Sequence, residues 1–480
     1  MTTARIDEQT QTLIISGTGA RPASAWLVGP RARVAARITG GGKTWKATLP
    51  LQTSRWGGAA LPLPAGAYRL TVEGVDVDVD GVEIEPTLLP GLRIEVHGPD
   101  AVIAAPIAPI YETPEGQRTL EQRYASQIGA GENAVFFESF YGQTAGCNPR
   151  AIDRVLAERA PAVTRYWSVT DLSVEVPPGA TPVVEGGPDW WRARAESRIL
   201  VVNDWLRRRF VRKPGQIVLQ TWHGTPLKRL ALHRPGFDPR RMAAVIKESR
   251  RWDVLLAQNP YAARILKKAY AFVGKPIWVE GYPRNDVLVN ADPAPVREAL
   301  GIGADERVIL YAPTWRDDRS EMVDFVDPQL LAEQTDSVVL VRGHSRTIQP
   351  GRDHTGARVI DVTGYPETAR LLLIADVLVT DYSSVMFDFS VTGRPMFFLV
   401  PDLQHYRGEL RGFYFDLAER APGPLVHSQD ELVRAIDEPE VPEAYRERYA
   451  AWRAQFNRRD DGQAADRVVS RILDQGWLTA

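Results

Sequence analysis

Two of the seven histidines stand where a base or a phosphate ligand would be useful. His223 lies in Gln220-Thr221-Trp222-His223-Gly224-Thr225-Pro226-Leu227-Lys228, directly after the apolar run Ile217 to Leu219. His344 lies in Arg342-Gly343-His344-Ser345, after Val338 to Val341. An imidazole near neutrality can take a proton from an attacking hydroxyl, and its cation can bind a phosphate oxygen. Either one alone also reads as a loop histidine bonded to backbone. The pair, flanked by Gly224 and Gly343, points to one shared cleft. Arg284 in Gly281-Tyr282-Pro283-Arg284-Asn285-Asp286 and Arg316 in Pro313-Thr314-Trp315-Arg316-Asp317 are forked donors suited to phosphate. Lys228 offers a point charge. A surface salt bridge is the commoner fate of all three.

Ser383 and Ser384 belong to Thr380-Asp381-Tyr382-Ser383-Ser384. This turn follows the apolar run Val377 to Val379 and precedes an amphipathic stretch, Val385 to Val391, that Gly393 ends. Strand, serine-rich turn and helix make an anion site: the first helical N–H groups lack partners and the dipole there favours negative charge. An ordinary N-cap has the same sequence. Glu138, after Ala134 to Phe137, is an acceptor ligand or second base, or caps the helix that follows. Asp317-Asp318 and Asp460-Asp461 read as a solvated turn and a helix face rather than a metal site, since neither pair has a second cluster.

These residues need a frame. Residues 1–110 carry short β-type runs (Thr12 to Ser16, Arg33 to Thr39, Thr44 to Leu49, Tyr68 to Val72, Leu92 to Val96) between Gly/Pro turns, which predicts a small all-β sandwich-like accessory domain. Asp76, Asp78 and Asp80 alternate with valine there and read as an acidic strand face. Residues 111–131 form a linker with a charged helical piece. From 132 the pattern alternates strand and helix, predicting parallel sheets with right-handed crossovers. The expected division is an N-terminal Rossmann-like acceptor domain at 132–286, a C-terminal Rossmann-like donor domain at 287–440, and helices packing back at 441–480. Ligands in such sheets sit at the carboxyl ends of strands, where the motifs above fall.

At 480 residues the chain exceeds one core, and its 44% hydrophobic and 25% charged content is that of ordinary soluble proteins. A formal charge of -2 gives no global basic field for nucleic acid. One cysteine, Cys147, excludes an internal disulfide framework and suits a reducing cytoplasm. No signal peptide and no apolar run of about 20 residues is read, so membrane contact is expected to be peripheral. The clear basic clusters are Arg207 to Arg209 with Arg212 and Lys213, and Arg240 to Arg251; the first reads as a membrane-facing patch or a solvated helix end.

Taken together, the Gln220–Lys228 motif resembles the signature of the CDP-glycerol glycerophosphotransferase family, the teichoic-acid primases and polymerases. So do Phe137 to Phe140 with Cys147-Asn148-Pro149, Gly281 to Asp286, Tyr311 to Arg316, Arg342 to His344 and Thr380 to Ser384. The resemblance covers about residues 130 to 440. It implies an α/β fold of GT-B type, with two Rossmann-like domains facing a cleft. It implies a CDP-polyol donor (CDP-glycerol or CDP-ribitol), CMP as product, no required cofactor and no metal ligand set. The acceptor would be a lipid-linked saccharide or a polyol-phosphate polymer, reached at the cytoplasmic face of the cell membrane. His223 and His344 inherit the catalytic role. Gly224, Arg284, Arg316, Asp381, Ser383 and Ser384 are expected around the donor phosphates, and Glu138 and Lys228 near the acceptor. Glycerol versus ribitol, primase versus polymerase, and teichoic acid versus capsule stay open. So do two other readings: a GT-B nucleotide-sugar glycosyltransferase, and a non-catalytic wall-polymer binding protein.

Overall fold

The computed structural model describes residues 2–41, 43–73, 82–129, 131–314, 325–343, 358–403, 412–438 and 443–479. His344, Arg316, Asp317, Asp318 and the Asp76–Asp80 alternation lie outside the described residues.

The first part of the chain forms twelve strands: β1 (Thr3–Asp7), β2 (Thr12–Thr18), β3 (Ser24–Val28), β4 (Arg33–Ala35), β5 (Arg37–Gly41), β6 (Thr44–Pro50), β7 (Gln52–Ser54), β8 (Ala60–Pro62), β9 (Gly66–Glu73), β10 (Glu83–Leu88), β11 (Arg93–His97) and β12 (Asp100–Ala104). Two antiparallel sheets, β1-β2-β6-β5 and β10-β11-β12-β9-β3-β4, share one core that includes Leu13, Leu27, Trp45, Leu49, Leu70 and Ile94. Alternation of buried and exposed residues along β6 and β12 is the period-2 signature of a strand with one covered face. The run Arg33 to Thr39 is not one strand. Ala36 donates to the Ala25 carbonyl at 2.8 Å, and the chain passes there from the six-stranded sheet to the four-stranded one. Strands β7 and β8 form a separate hairpin. A helix, Pro114–Ser126, follows, capped by the Thr113 hydroxyl on Gly116 N–H.

Next come β13 (Glu132–Glu138), β14 (Thr164–Val169), β15 (Thr181–Val184), β16 (Ser197–Val202), β17 (Ile217–Gln220), β18 (Val254–Ala257) and β19 (Ile277–Val279). They make one parallel sheet in the order β15-β14-β13-β16-β17-β18-β19. A second parallel sheet holds β20 (Val308–Ala312), β21 (Val338–Val341), β22 (Val359–Asp361), β23 (Val377–Thr380), β24 (Met396–Leu399) and β25 (Leu425–Val426), ordered β22-β21-β20-β23-β24-β25. Every residue of β20, β21, β23 and β24 is buried, as expected of strands covered on both faces. In each sheet the order reverses between two central strands, β13/β16 and β20/β23, and the crevice beyond their carboxyl ends is where such sheets take ligands.

The chain then crosses twice. Helix Glu443–Phe456 sets Trp452 and Phe456 into the core of the second sheet, Trp452 stacking on Phe387 at 4.8 Å. Helix Ala464–Asp474 returns to the first sheet, where Val468, Val469 and Ile472 join Val135, Ile152 and Leu156. The break between the two helices falls at Asn457 to Gln463. Among the described residues no helix is long and apolar enough to cross a membrane.

Candidate active site

His223 stands beyond β17, on the turn Thr221–Gly224. Trp222 is held at φ +53°, a left-handed backbone that a tryptophan adopts only under constraint. The constraint is visible. Asn148 Nδ2 donates to the Thr221 and Trp222 carbonyls at 3.3 and 3.1 Å, and Gln220 Oε1 accepts the Trp222 N–H at 2.9 Å. The imidazole stacks on Trp222 at 4.8 Å and meets Phe140 edge-on at 5.5 Å. His223 Nδ1 lies 2.6 Å from the Asn203 carbonyl oxygen. A carbonyl only accepts, so Nδ1 carries the proton and Nε2 keeps its lone pair. Burial pushes the His223 pKa down, against Asp204 and the Asn203 carbonyl, and Arg284 adds to the lowering. The ring is a neutral base with a fixed tautomer.

The turn is pressed against the second sheet. A Cβ on Gly224 would stand 2.8 Å from Ser384 Oγ and 3.3 Å from Ser384 Cβ, so any larger residue would press the two turns apart or turn the serine side chain away. Downstream, Tyr414 N–H donates to the Leu227 carbonyl at 2.9 Å, Arg229 N–H to Gly412 at 3.1 Å, and Lys228 bridges Phe413. Lys228 is thus placed by an inter-sheet bridge. Ser383 and Ser384 are half-buried at the carboxyl end of β23. The helix they open, Val385–Phe389, is a single turn continued by the 3-10 turn Ser390–Thr392 and closed by Gly393 at φ +73°. It is shorter than the expected stretch to Val391 and buried on nearly every side, so packing rather than an extended dipole defines it.

Three expected ligands have other occupations. Arg284 is engaged within the protein: Nη2 pairs with Asp388 at 2.6 Å, while Nη1 donates to the His223 carbonyl at 3.0 Å and to Cys147 Sγ at 3.1 Å. Burial opposes its charge, but Asp388 and Cys147 outweigh that and hold it protonated. Asp381 accepts the Thr314 N–H on both oxygens at 3.0 Å and the Tyr382 N–H at 2.5 Å. These bonds fix the loop after β20. Glu138 is buried, accepts from Ser168 Oγ at 2.8 Å and has its pKa raised by burial.

A polar network beneath the site was missed. Asn285 Nδ2 donates to Asp388 at 3.0 Å and approaches Asp460 at 3.3 Å. Asp460 also accepts from Tyr282 N–H and Gln258 at 2.9 Å and Asn457 at 3.2 Å. Burial, against those donors, pushes its pKa up to about 7, so Asp460 is no solvated helix face. Asn148 had a signal, its place in Cys147-Asn148-Pro149; Asp388 had none. Among the described residues no group of three His, Cys, Asp or Glu is placed to hold a metal ion. The first basic cluster lies outside any helix: Arg207, Arg208, Arg209 and Arg212 are exposed, Arg208 pairing with Glu185 at 2.8 Å and Arg212 with Asp253 at 2.5 Å, while Lys213 is buried on the Tyr124 and Gln127 carbonyls.

Residues 123–474 match the family described as CDP-Glycerol:Poly(glycerophosphate) glycerophosphotransferase. The chain is 36% identical over 375 residues to the teichoic acid poly(glycerol phosphate) polymerase of Bacillus subtilis (strain 168), across 73% of this chain but only 50% of that protein. It is 34% identical over 380 residues to the teichoic acid glycerol-phosphate transferase of Staphylococcus aureus (strain NCTC 8325 / PS 47), across 71% of this chain and 93% of that one. A solved structure of the wall teichoic acid polymerase TagF superposes with a TM-score of 0.69 at 30% identity, covering 75% of this chain and 94% of that one. The strained histidine turn, the serine turn facing it and these matches agree: the chain belongs to the CDP-glycerol glycerophosphotransferase family.

Proposed function

We propose that the chain transfers a polyol phosphate, glycerol phosphate foremost, from a CDP-polyol to a hydroxyl of a polyol-phosphate polymer or lipid-linked acceptor in wall teichoic acid synthesis. The observation that carries this is His223: a neutral imidazole with Nδ1–H committed to Asn203 and Nε2 available, on a turn touching Ser384. The two parallel sheets form the halves of a GT-B arrangement, the first serving the acceptor and the second the donor. The donor pyrophosphate lies against the Ser383-Ser384 turn at the β20/β23 switch point. The acceptor oxygen bonds to the polyol-bearing phosphorus as the bond from that phosphorus to the CMP oxygen breaks. The acceptor proton passes to His223 Nε2, and CMP leaves. Positioning and charge stabilisation supply most of the rate in such transfers. His344 and Arg316, following β21 and β20 in sequence, are proposed to support phosphate charge. Arg284 acts through the His223 carbonyl instead.

The acceptor places the work at the cytoplasmic membrane face. Phe237 is 85% exposed beside helix Pro239–Ser249, on which Arg240 and Lys247 are exposed and Arg250 follows. An exposed aromatic among cations suits an anionic headgroup layer. Phe237→Asp should weaken sedimentation with phosphatidylglycerol vesicles; equal binding would remove this surface from the proposal. The central test is CMP release from CDP-glycerol and CDP-ribitol, side by side, with an oligomeric acceptor. Release should require acceptor and vanish in His223→Ala. A folded His223→Ala protein with near-normal turnover overturns the base assignment, and release of UDP or GDP from sugar nucleotides overturns the donor.

A further inference from the structure

The all-β unit precedes the residues that match the family, and the transfer chemistry uses none of it. Its hairpin β7–β8 and the adjoining residues Arg31 and Ala65 are nevertheless seated on loops of both parallel sheets. On the second-sheet side, the Trp56 ring meets Tyr365 edge-on at 5.5 Å, and Arg55 Nη2 lies 2.8 Å from where a Cβ on Gly364 would stand. Gly57 lies 3.2 Å, measured the same way, from Ala299. On the first-sheet side, Arg55 Nη1 donates to the Arg31 carbonyl at 2.8 Å, and Arg31 pairs with the buried carboxylate of Asp171 at 2.5 Å. The same Asp171 oxygen accepts the Ala65 N–H at 3.0 Å. Asp171 lies just beyond β14 and Tyr365 just beyond β22, so both anchors are at carboxyl ends of strands, the edge where the site lies.

The loop under Trp56 leads into the site by short steps. Thr363 Oγ1 accepts the Gly343 N–H at 2.8 Å, one residue before His344. The Pro366 carbonyl lies 3.0 Å from where a Cβ on Gly146 would stand. Gly146 caps helix Cys147–Arg159, whose first residues hold Arg284 and the Trp222 turn. Glu367 pairs with Arg150 of that helix at 3.1 Å.

We propose that Trp56 and Arg31 are positioning residues: the all-β unit braces the Thr363–Glu367 loop against helix Cys147–Arg159 and so fixes the spacing at which the His223 turn meets the Ser384 turn. A brace at this edge controls alignment of acceptor and donor rather than the affinity of either. The kinetic consequence rests on the transfer reading above; the mechanical one does not. Cys147 is the single cysteine and stands inside the braced contact, so its thiol reports on the brace without any substrate.

The test compares full-length wild type, Trp56→Ala, Trp56→Phe and Arg31→Gln, with Val102→Ala on the outer β face as control. Cys147 labelling by a neutral maleimide is measured first, then CMP release. Trp56→Ala and Arg31→Gln should speed labelling several-fold and lower kcat roughly tenfold, with donor KM within about twofold. Trp56→Phe keeps a ring on Tyr365 and should restore both; Val102→Ala should change neither. Folded Trp56→Ala and Arg31→Gln proteins that label at the wild-type rate overturn the brace. So does a kcat loss that Trp56→Phe fails to rescue. If Trp56→Ala melts early, Arg31→Gln decides from the other anchor. Wild type that releases no CMP refutes the transfer reading alone, since the labelling comparison still stands.

Discussion

Asp388→Asn isolates the charge that ties the two parallel sheets together. Asp388 and Arg284 approach to 2.6 Å with side chains 8% and 14% exposed, so water screens the pair little. Asparagine keeps the shape, and its carbonyl can still accept from Asn285 Nδ2. What is lost is the counter-ion of a buried guanidinium. Removing one partner of a buried pair costs about 3–5 kcal/mol, and slight exposure argues for the low end, ~3 kcal/mol. For units of 150–250 residues each kcal/mol moves the melting temperature by about 2–4 °C, so the drop should be about 6–12 °C. Arg284 also donates to the His223 carbonyl, so turnover should fall by more than stability explains. The assay is a thermal melt beside CMP release, with the double replacement Arg284→Met/Asp388→Leu as companion. Apolar residues in place of both charges should recover most of the melting temperature but not the turnover, because the His223 carbonyl still lacks its donor. Asp388→Asn melting within about 1 °C of wild type, with kcat unchanged, would refute the pair as a strut and Arg284 as a positioning residue.

The lowered pKa of His223 predicts a rate that is flat through neutral pH and falls only below the ordinary imidazole value of about 6.5, as Nε2 takes up a proton; an acid limb centred above that value would contradict this. Asp460 titrates near 7 when folded and near its ordinary carboxyl value, about 3.9, when unfolded. The native state therefore binds the extra proton, and stability should decline as pH rises through about 7. Melting temperatures at pH 6 and 8 should show that slope in wild type and lose it in Asp460→Asn. Gly224→Ala drives a methyl into Ser384 and should cost about 1–3 kcal/mol of overpacking together with most of the turnover. A folded Gly224→Ala enzyme with wild-type kcat would show that the two turns need not touch.

The strand-and-turn frame was legible because buried parallel strands write themselves as continuous apolar runs. Val308 to Tyr311, Val338 to Val341 and Val377 to Val379 each mark a strand of the second sheet, and His223 and Ser383 follow their strands as expected. Spacing does not give the partners each side chain meets. Arg284 meets a carboxylate 104 residues away, and sequence spacing carries no trace of that. Asp381, Glu138 and Asp460 were given to ligand or solvent because a charge is usually solvated, whereas here each is buried and hydrogen-bonded in place. The run Arg33 to Thr39 hid a corner, because a strand that changes sheets keeps its β propensity throughout. The short strands β1, β7 and β8 leave little pattern to read.

The return of the chain from the second sheet to the first fixes an order of completion. Asp286 accepts the N–H groups of Ala464 and Ala465 at 2.9 and 2.8 Å, so the loop that closes the first sheet caps a helix made much later. On the ribosome, the first sheet emerges early but keeps the face around Ile152 and Leu156 open until Val468 and Ile472 arrive. The second sheet, begun later, is complete once Trp452 and Phe456 are made. A nascent chain halted between the two helices would thus present a finished second-sheet half tethered to a first-sheet half with a bare apolar face, a form the completed chain never shows.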